Sequence, residues 1–288
     1  MQFIKPGINI DFIGKRKIAF VLSLVMILIS IGSLVINRGP RYGIDFAGGT
    51  LVQVKFEAPV TIDGIKSGLQ NMELAASAVQ QFGRAEDNEY LIRTDATTTA
   101  MEGLSEKIER YLKDATDVPV EIRRVEMVGP QVGQDLREKA LFAMFYALLF
   151  ITVYISGRFE LKWAKSAIVA AAIMGAVYLL SLFHVSVPFL MLAALIVSLV
   201  IFWFFEFKYA MGAIVALIHD VTITIGIFSI FDKEFTLPIV AALLTIIGYS
   251  LNDTIIVFDR IRENLRKYHK EPLSTILNKS INETLSRT

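Results

Sequence analysis

The chain has 288 residues, 54% of them hydrophobic and 20% charged, with no cysteine, three histidines and a formal net charge of +1. Soluble globular chains hold roughly 45–50% apolar and about 25% charged residues, so this excess, with a mean hydropathy of +0.53, argues for lipid exposure. The balanced charge gives no basic field for nucleic acid, the absence of cysteine excludes disulfides, thiolate catalysis and cysteine metal sites, and His184, His219 and His269 are too few and scattered for a histidine cluster.

The first apolar run, Ile18 to Ile36, follows the basic Lys15-Arg16-Lys17. About 20 helical residues cross a hydrocarbon core, whereas the apolar part of a cleaved signal is about 7–15 residues long and ends at a small-residue site. This run is longer and lacks that site, so residues 1–36 are read as a cytoplasmic segment and an uncleaved first transmembrane helix. Residues 37–138 lose the apolar character, with 12 Lys and Arg against 17 Asp and Glu. Leu51 to Phe56 alternates as a strand after Gly48-Gly49, Ile62 to Met72 reads as a short helix, and Ala75 to Phe82 and Glu89 to Arg93 read as two strands around a turn. Met101, Leu104, Ile108 and Leu112 lie at helical spacing within Thr99 to Leu112, and Val120, Ile122 and Val125 mark a last strand in Val118 to Met127. The order βαββαβ predicts a ferredoxin-like, split-βαβ sandwich. The fold class is a polytopic α-helical membrane protein with an exported α+β domain.

Residues 139–258 predict a bundle of five helices over 140–156, 164–183, 187–205, 209–231 and 237–258, which makes six spans in all. Their breaks are the turn from Gly157 to Lys162, the His184 turn before Pro188, Glu206-Phe207-Lys208, and Asp232-Lys233-Glu234 before Pro238. Both prolines suit a first helical turn, where the missing N–H costs nothing. Ala171 and Gly175 form a small-xxx-small pair, read as helix packing. Lys and Arg gather in the N-terminal segment, in the 157–165 loop and in the tail, so the positive-inside rule puts these in the cytoplasm and the acidic domain outside. In the tail, 259–288, Leu273, Ile276, Leu277, Ile281 and Leu285 repeat at helical spacing. That pattern fits an interfacial amphipathic helix and equally a helix docked on the bundle.

Ionisable groups inside spans cost about 2.5–3.5 kcal/mol each on insertion scales and are functional candidates by default. Asp220 falls at the midpoint of its run, beside His219 and before Thr222 and Thr224, about 16 Å from either end at the helical rise. It must face protein or water, either as a charge-alternating group or as neutral hydrogen-bonded glue between helices. The last span carries Gly248 to Asp253 and ends in Asp259-Arg260. Residues seven apart differ by about 20° around a helix, so Asp253 shares a face with Arg260, and Asn252 with Asp259. This polar stripe descends toward the cytoplasm. Asp253 is alternatively a helix-end carboxylate paired with Arg260 or Lys267, and Arg260 alternatively only an orientation signal. A midplane carboxylate with a polar stripe on a second helix is what an ion relay requires, and the residues leave H⁺ and Na⁺ open. Gly43, Asp45, Gly48 and Gly49, where the chain leaves the first span, read as a turn that launches the first strand. A phosphate-binding loop is unsupported there, because no Lys-Ser/Thr follows.

Gly43 to Thr50 after a first span, Ala216 to Val221 with its His219-Asp220, and Ala242 to Thr254 continuing through Phe258-Asp259-Arg260-Ile261-Arg262-Glu263-Asn264 together resemble the SecF family. That family supplies an accessory subunit of the bacterial Sec preprotein translocase and belongs to the RND superfamily. The resemblance implies a multi-pass protein of the bacterial cytoplasmic membrane with a cytoplasmic N-terminus. It implies SecD, the SecYEG channel, a translocating preprotein and membrane lipid as partners, no cofactor, and the proton gradient as energy source, with Na⁺ the alternative coupling ion. It places proton coupling on Asp220, Asn252, Asp253, Asp259 and Arg260, and the membrane-exit motif on Gly43, Asp45, Gly48 and Gly49. Two departures are visible. Arg158-Phe159-Glu160 is followed by an extra pair of apolar runs before the Asp220 span, which preserves orientation, and Asn282 to Thr288 resembles what precedes two further helices in the family, so a C-terminal truncation is expected.

Two other readings stay open: a structural membrane subunit without ion coupling, and a fragment of an RND-type small-molecule or lipid exporter, for which a larger exported domain would be expected. The exported domain has no histidine, no cysteine and no nucleophile constellation, so the chain is read as no enzyme.

Overall fold

The computed structural model describes residues 9–70, 78–94, 104–160, 163–181 and 187–286. The readings at residues 1–8, Met72, Ala75 to Ser77, Thr99 to Met101, Lys162, the His184 turn and Arg287-Thr288 lie outside these residues. The chain divides into two compact units, 42–139 and 1–41 with 140–288.

In the 42–139 unit a one-turn helix α2 (Ile44–Ala47) leads into β1 (Gly49–Phe56), α3 (Ile62–Gln70), β2 (Ala78–Phe82), β3 (Glu89–Thr94), α4 (Leu104–Thr116) and β4 (Val120–Val128). The sheet order is β2-β3-β1-β4, and every neighbouring pair is antiparallel. The alternation Val52, Val54, Phe56 turns every second side chain of the central strand inward, at 1% exposure or less. Against this face pack Ile65 and Leu69 of α3 and Ile108 and Leu112 of α4, all equally buried. Each such side chain contributes about 1.5–3 kcal/mol of hydrophobic stabilisation. Val54 sits opposite Tyr90 on β3 and Ile122 on β4, with a bulge at Gln53/Val54. Tyr90 packs edge-on against Phe56 and donates from its hydroxyl to the Val60 carbonyl at 2.6 Å. That bond gives the one polar atom of a buried ring its partner.

The other unit is helical: α1 (Arg16–Ile36), the continuation of α5 (Pro130–Glu160), α6 (Trp163–Ser181), α7 (Val187–Phe204), α8 (Lys208–Ile230), α9 (Leu237–Lys267) and α10 (Leu273–Thr284). Among the described residues four helices are long and apolar enough to cross a membrane: Arg16–Ile36, Pro130–Ile155, Lys208–Ile230 and Leu237–Lys267. Helices suit that environment because they satisfy their own backbone groups. Large apolar side chains of α1 face outward, with Phe20 at 73% and Ile36 at 81% exposure. α8 is central, packing against α1, α7 and α9. Three helices end by the same device, a residue with positive φ followed by a bond back to the carbonyl five residues earlier. The residues are Arg38, Glu206 and Asp232, and the bonds are Gly39 N–H to Leu34, Phe207 N–H to Phe202 and Lys233 N–H to Phe228.

Close approach occurs where the sequence did not point. Gly175 meets open space and Ala171 is exposed, so the expected small-residue contact at 171/175 is not a packing contact among the described residues. Gly226 of α8 instead abuts Ser30 of α1, where any Cβ would overlap the serine side chain. Above it Ser33 Oγ lies 2.8 Å from Ser229 Oγ, and Asn37 Nδ2 donates to Ser229 Oγ at 3.1 Å. Past α1 the chain is strapped to the α8–α9 turn: Phe235 N–H donates to the Arg41 carbonyl at 2.6 Å, and the Arg41 guanidinium meets Asp232 at 2.5 Å. The tail helix α10 docks on α9, burying Ile276, Ser280 and Thr284. On another face its Asn278 and Asn282 accept from the N–H groups of Phe12 and Ile10 and donate to the Ile10 carbonyl.

Candidate intramembrane carboxylate site

Asp220 lies twelve residues from Lys208 and ten from Ile230 on α8, about 15–18 Å from either end. Too short to reach an interface, its carboxylate finds partners within the bundle. Ser250 Oγ of α9 donates to Oδ2 at 2.6 Å, and His219 Nδ1 lies 2.8 Å from Oδ1. Thr224 returns its hydroxyl to the Asp220 carbonyl at 2.8 Å, which keeps that polar side chain satisfied within its own helix. The carboxylate opens onto a cavity of about 490 Å³ between α1, α8 and α9, lined among others by Ser23, Met26, Thr224 and Tyr249. Asp220 and His219 are partly exposed to it, at 39% and 33% of their side chains. An acid with one bond to its own helix, one to a neighbouring helix and one open side can exchange an ion with the cavity while its charge state is felt by two helices.

The α9 stripe divides. Asn252 is exposed and Asp253 half-buried, and no described residue pairs with either. Asp259 forms an ion pair with Arg158 of α5 at 2.8 Å, and its carboxylate raises the Arg158 guanidinium above the ordinary arginine value. Arg260 turns to Glu263 at 2.8 Å and to Glu283 of α10 at 3.5 Å. Arg260 therefore has partners other than Asp253. The lower stripe holds α5, α9 and α10 together, with Asn264 donating to Ser280 Oγ at 3.0 Å and Glu283 at 2.9 Å.

Gly43, Asp45, Gly48 and Gly49 belong to the sheet-bearing unit. Gly48 and Gly49 take φ of +79° and +118°, backbone that glycine adopts without strain, and a Cβ on Gly48 would stand 2.9 Å from the Pro130 Cα. Asp45 is half-buried in α2. The motif thus turns the chain into β1, the central strand.

Two functional candidates escaped the sequence reading as site residues. Ser250 lies inside the quoted last-span motif and His219 beside Asp220, but a serine 30 residues from a carboxylate gives no signal until the α8–α9 crossing is known.

These features define a class: a polytopic membrane subunit with a separate α+β unit after its first span and a half-buried acid bonded between two later spans. Residues 107–195 and 181–288 match the family of protein export membrane proteins SecD/SecF, C-terminal, and residues 33–60 match the SecD/SecF GG motif. The protein translocase subunit SecF of Magnetococcus marinus is 41% identical, the match covering 98% of this chain and 76% of that one. SecF of Calditerrivibrio nitroreducens is 39% identical over 100% of this chain and 80% of its own length. The crystal structure of SecDF, a translocon-associated membrane protein from Thermus thermophilus, superposes with a TM-score of 0.64 at 26% identity, over 98% of this chain. The chain spans about a third of that protein, 32% of its length. The chain belongs to the SecF family, whose members are translocase subunits of the Sec protein-export pathway.

Proposed function

We propose that the chain works with SecD, beside the SecYEG channel, to draw exported preproteins outward at the expense of the proton motive force. The observation that carries this reading is Asp220, midway through a membrane-crossing helix, bonded across to Ser250 and open to a cavity. A unit charge moved through the field gains about 2.3 kcal/mol per 100 mV, enough to shift a conformational equilibrium tenfold or more. Na⁺ is the alternative coupling ion at the same carboxylate. Asn252 and Asp253 serve as the cytoplasmic approach to it, while Asp259 and Arg260 hold the helices through which the charge change is felt. The N-terminus is cytoplasmic, the 42–139 unit lies outside, and membrane lipid covers the apolar face of α1. The order β2-β3-β1-β4 with α3 and α4 as crossovers supports a ferredoxin-like sandwich for that unit.

The test is Asp220→Asn in the full-length protein, reconstituted with its partners in vesicles under an imposed proton gradient. Asn keeps size and hydrogen bonding but cannot alternate charge. Loss of gradient-dependent preprotein translocation with assembly intact supports coupling; unchanged stimulation leaves Asp220 as glue between α8 and α9 and the chain as a structural subunit.

A further inference from the structure

We propose that Ser250 is the positioning residue for Asp220, a hydroxyl that stays bonded to the carboxyl group in both of its charge states. The inference rests on Asp220 being the group that alternates charge. An ionised carboxylate only accepts hydrogen bonds, and here Oδ2 accepts from Ser250 while Oδ1 faces His219 Nδ1. Taking up a proton turns one carboxyl oxygen into a donor, so one neighbour must become an acceptor.

The two neighbours are not equally able to do so. His219 accepts at Nδ1 only with its own proton on Nε2, and Nε2 is buried with no hydrogen-bond partner among the described residues. That tautomer strands a buried N–H, which costs the full desolvation of the donor. Ser250 meets no such obstacle, because its oxygen has two lone pairs and its proton can swing to the carbonyl of Ile246, four residues earlier. Thr224, Thr245 and Thr254 each make that i−4 bond in α8 and α9, at 2.8, 2.9 and 2.9 Å. On protonation the carboxyl O–H donates to Ser250 Oγ and the serine O–H to the backbone. The proton stays on Asp220, and the α8–α9 link survives with its direction reversed. No Lys, Arg or second carboxylate is among the described residues lining the cavity; Tyr249 of α9 and His219 are its other titratable groups. The hydroxyl is therefore what accommodates the change of charge.

The experiment compares Ser250→Ala, Ser250→Thr and Asp220→Asn in the full-length protein with its partners in vesicles. It reads gradient-driven translocation and the infrared carboxyl band that disappears in Asp220→Asn. Ser250→Ala is expected to lower the gradient-dependent stimulation about tenfold or more, the worth of a hydrogen bond to a charged group, and to move the protonated-carboxyl band to higher frequency. Ser250→Thr keeps the hydroxyl, and the cavity has room for its methyl group, so both readouts stay near wild type. Wild-type stimulation and an unmoved band in Ser250→Ala overturn the inference. Equal losses in Ala and Thr also overturn it, since the hydroxyl is then irrelevant. Loss in Asp220→Asn with none in Ser250→Ala refutes Ser250 alone, whereas full stimulation in Asp220→Asn removes the coupling reading itself.

Discussion

Replacing Gly226 with Ala sets two well-known effects against each other. In a helix interior Ala is favoured over Gly by about 0.5–1 kcal/mol, so an open site would gain stability. Here the new Cβ overlaps the Ser30 side chain and stands 2.7 Å from the Ser30 Cα, and Ser30 is only 2% exposed. Relieving that overlap means moving α1 from α8, an overpacking cost of about 1–3 kcal/mol. The movement also stretches the Ser33–Ser229 and Asn37–Ser229 bonds, each worth about 0.6 kcal/mol by membrane double-mutant cycles. Sterics therefore win, and Gly226→Ala is expected to destabilise the protein by about 2–3 kcal/mol in equilibrium unfolding in detergent. Adding Ser30→Gly removes the side-chain overlap but leaves the backbone contact, so the double variant should recover about half of the loss. A Gly226→Ala protein as stable as wild type, or a Ser30→Gly partner that restores nothing, would refute the close α1–α8 contact.

Other variants separate packing from charge. Asn264→Ala removes a buried donor to Ser280 and Glu283 and should cost about 1–3 kcal/mol, seen as faster hydrogen exchange over residues 273–284 with little change in α8. Asp259→Asn breaks an ion pair whose side chains are both about two-fifths exposed, so the stability loss should stay within about 0–1 kcal/mol; a large drop in detergent unfolding would contradict this. Leu69→Ala, at a side chain 1% exposed, should cost about 2–5 kcal/mol and loosen exchange throughout β1 and β3. Gly48→Ala forces a side chain onto a backbone with φ of +79° against the Pro130 Cα, and should lower thermal stability where Gly39→Ala, in open space, costs only its own strain.

Periodicity and hydropathy read element centres well and element ends poorly. The run from Ile18 to Ile36 is α1 almost residue for residue, and the strand at Leu51 to Phe56 is β1 less its two opening residues. The helix containing Ala140 to Ser156, however, begins at Pro130, and the helix containing Leu237 to Phe258 continues to Lys267. A hydropathy pattern marks where a helix is apolar, while backbone hydrogen bonding carries it through Gln131 to Lys139 and Asp259 to Lys267 regardless. Asp220 was legible because a charge alone at the centre of an apolar run is costly whatever surrounds it. Its bond to Ser250 was not, since a helix crossing is settled by surface shape: Gly226 against Ser30, and Gly212, whose added Cβ would lie 3.1 Å from the Phe258 ring. The link from Arg260 to α10 was not legible either, because Glu283 reaches it only after the chain has turned back at Pro272.

The Arg41 strap ties the chain beyond α1 to the hairpin end of the helices that carry Asp220 and Ser250, through two fastenings of different grade. The bond from Phe235 N–H to the Arg41 carbonyl is sheltered beside a side chain only 7% exposed, so it holds at any ionic strength. The Arg41–Asp232 pair is open to solvent, at 41% and 71% exposure, and salt weakens such pairs. The joint behaves as a clutch: always engaged through the backbone, yet gripping harder in dilute than in concentrated salt. Any shift of the α8–α9 hairpin is thus felt at Arg41, with a slip set by the ionic strength of the surrounding medium.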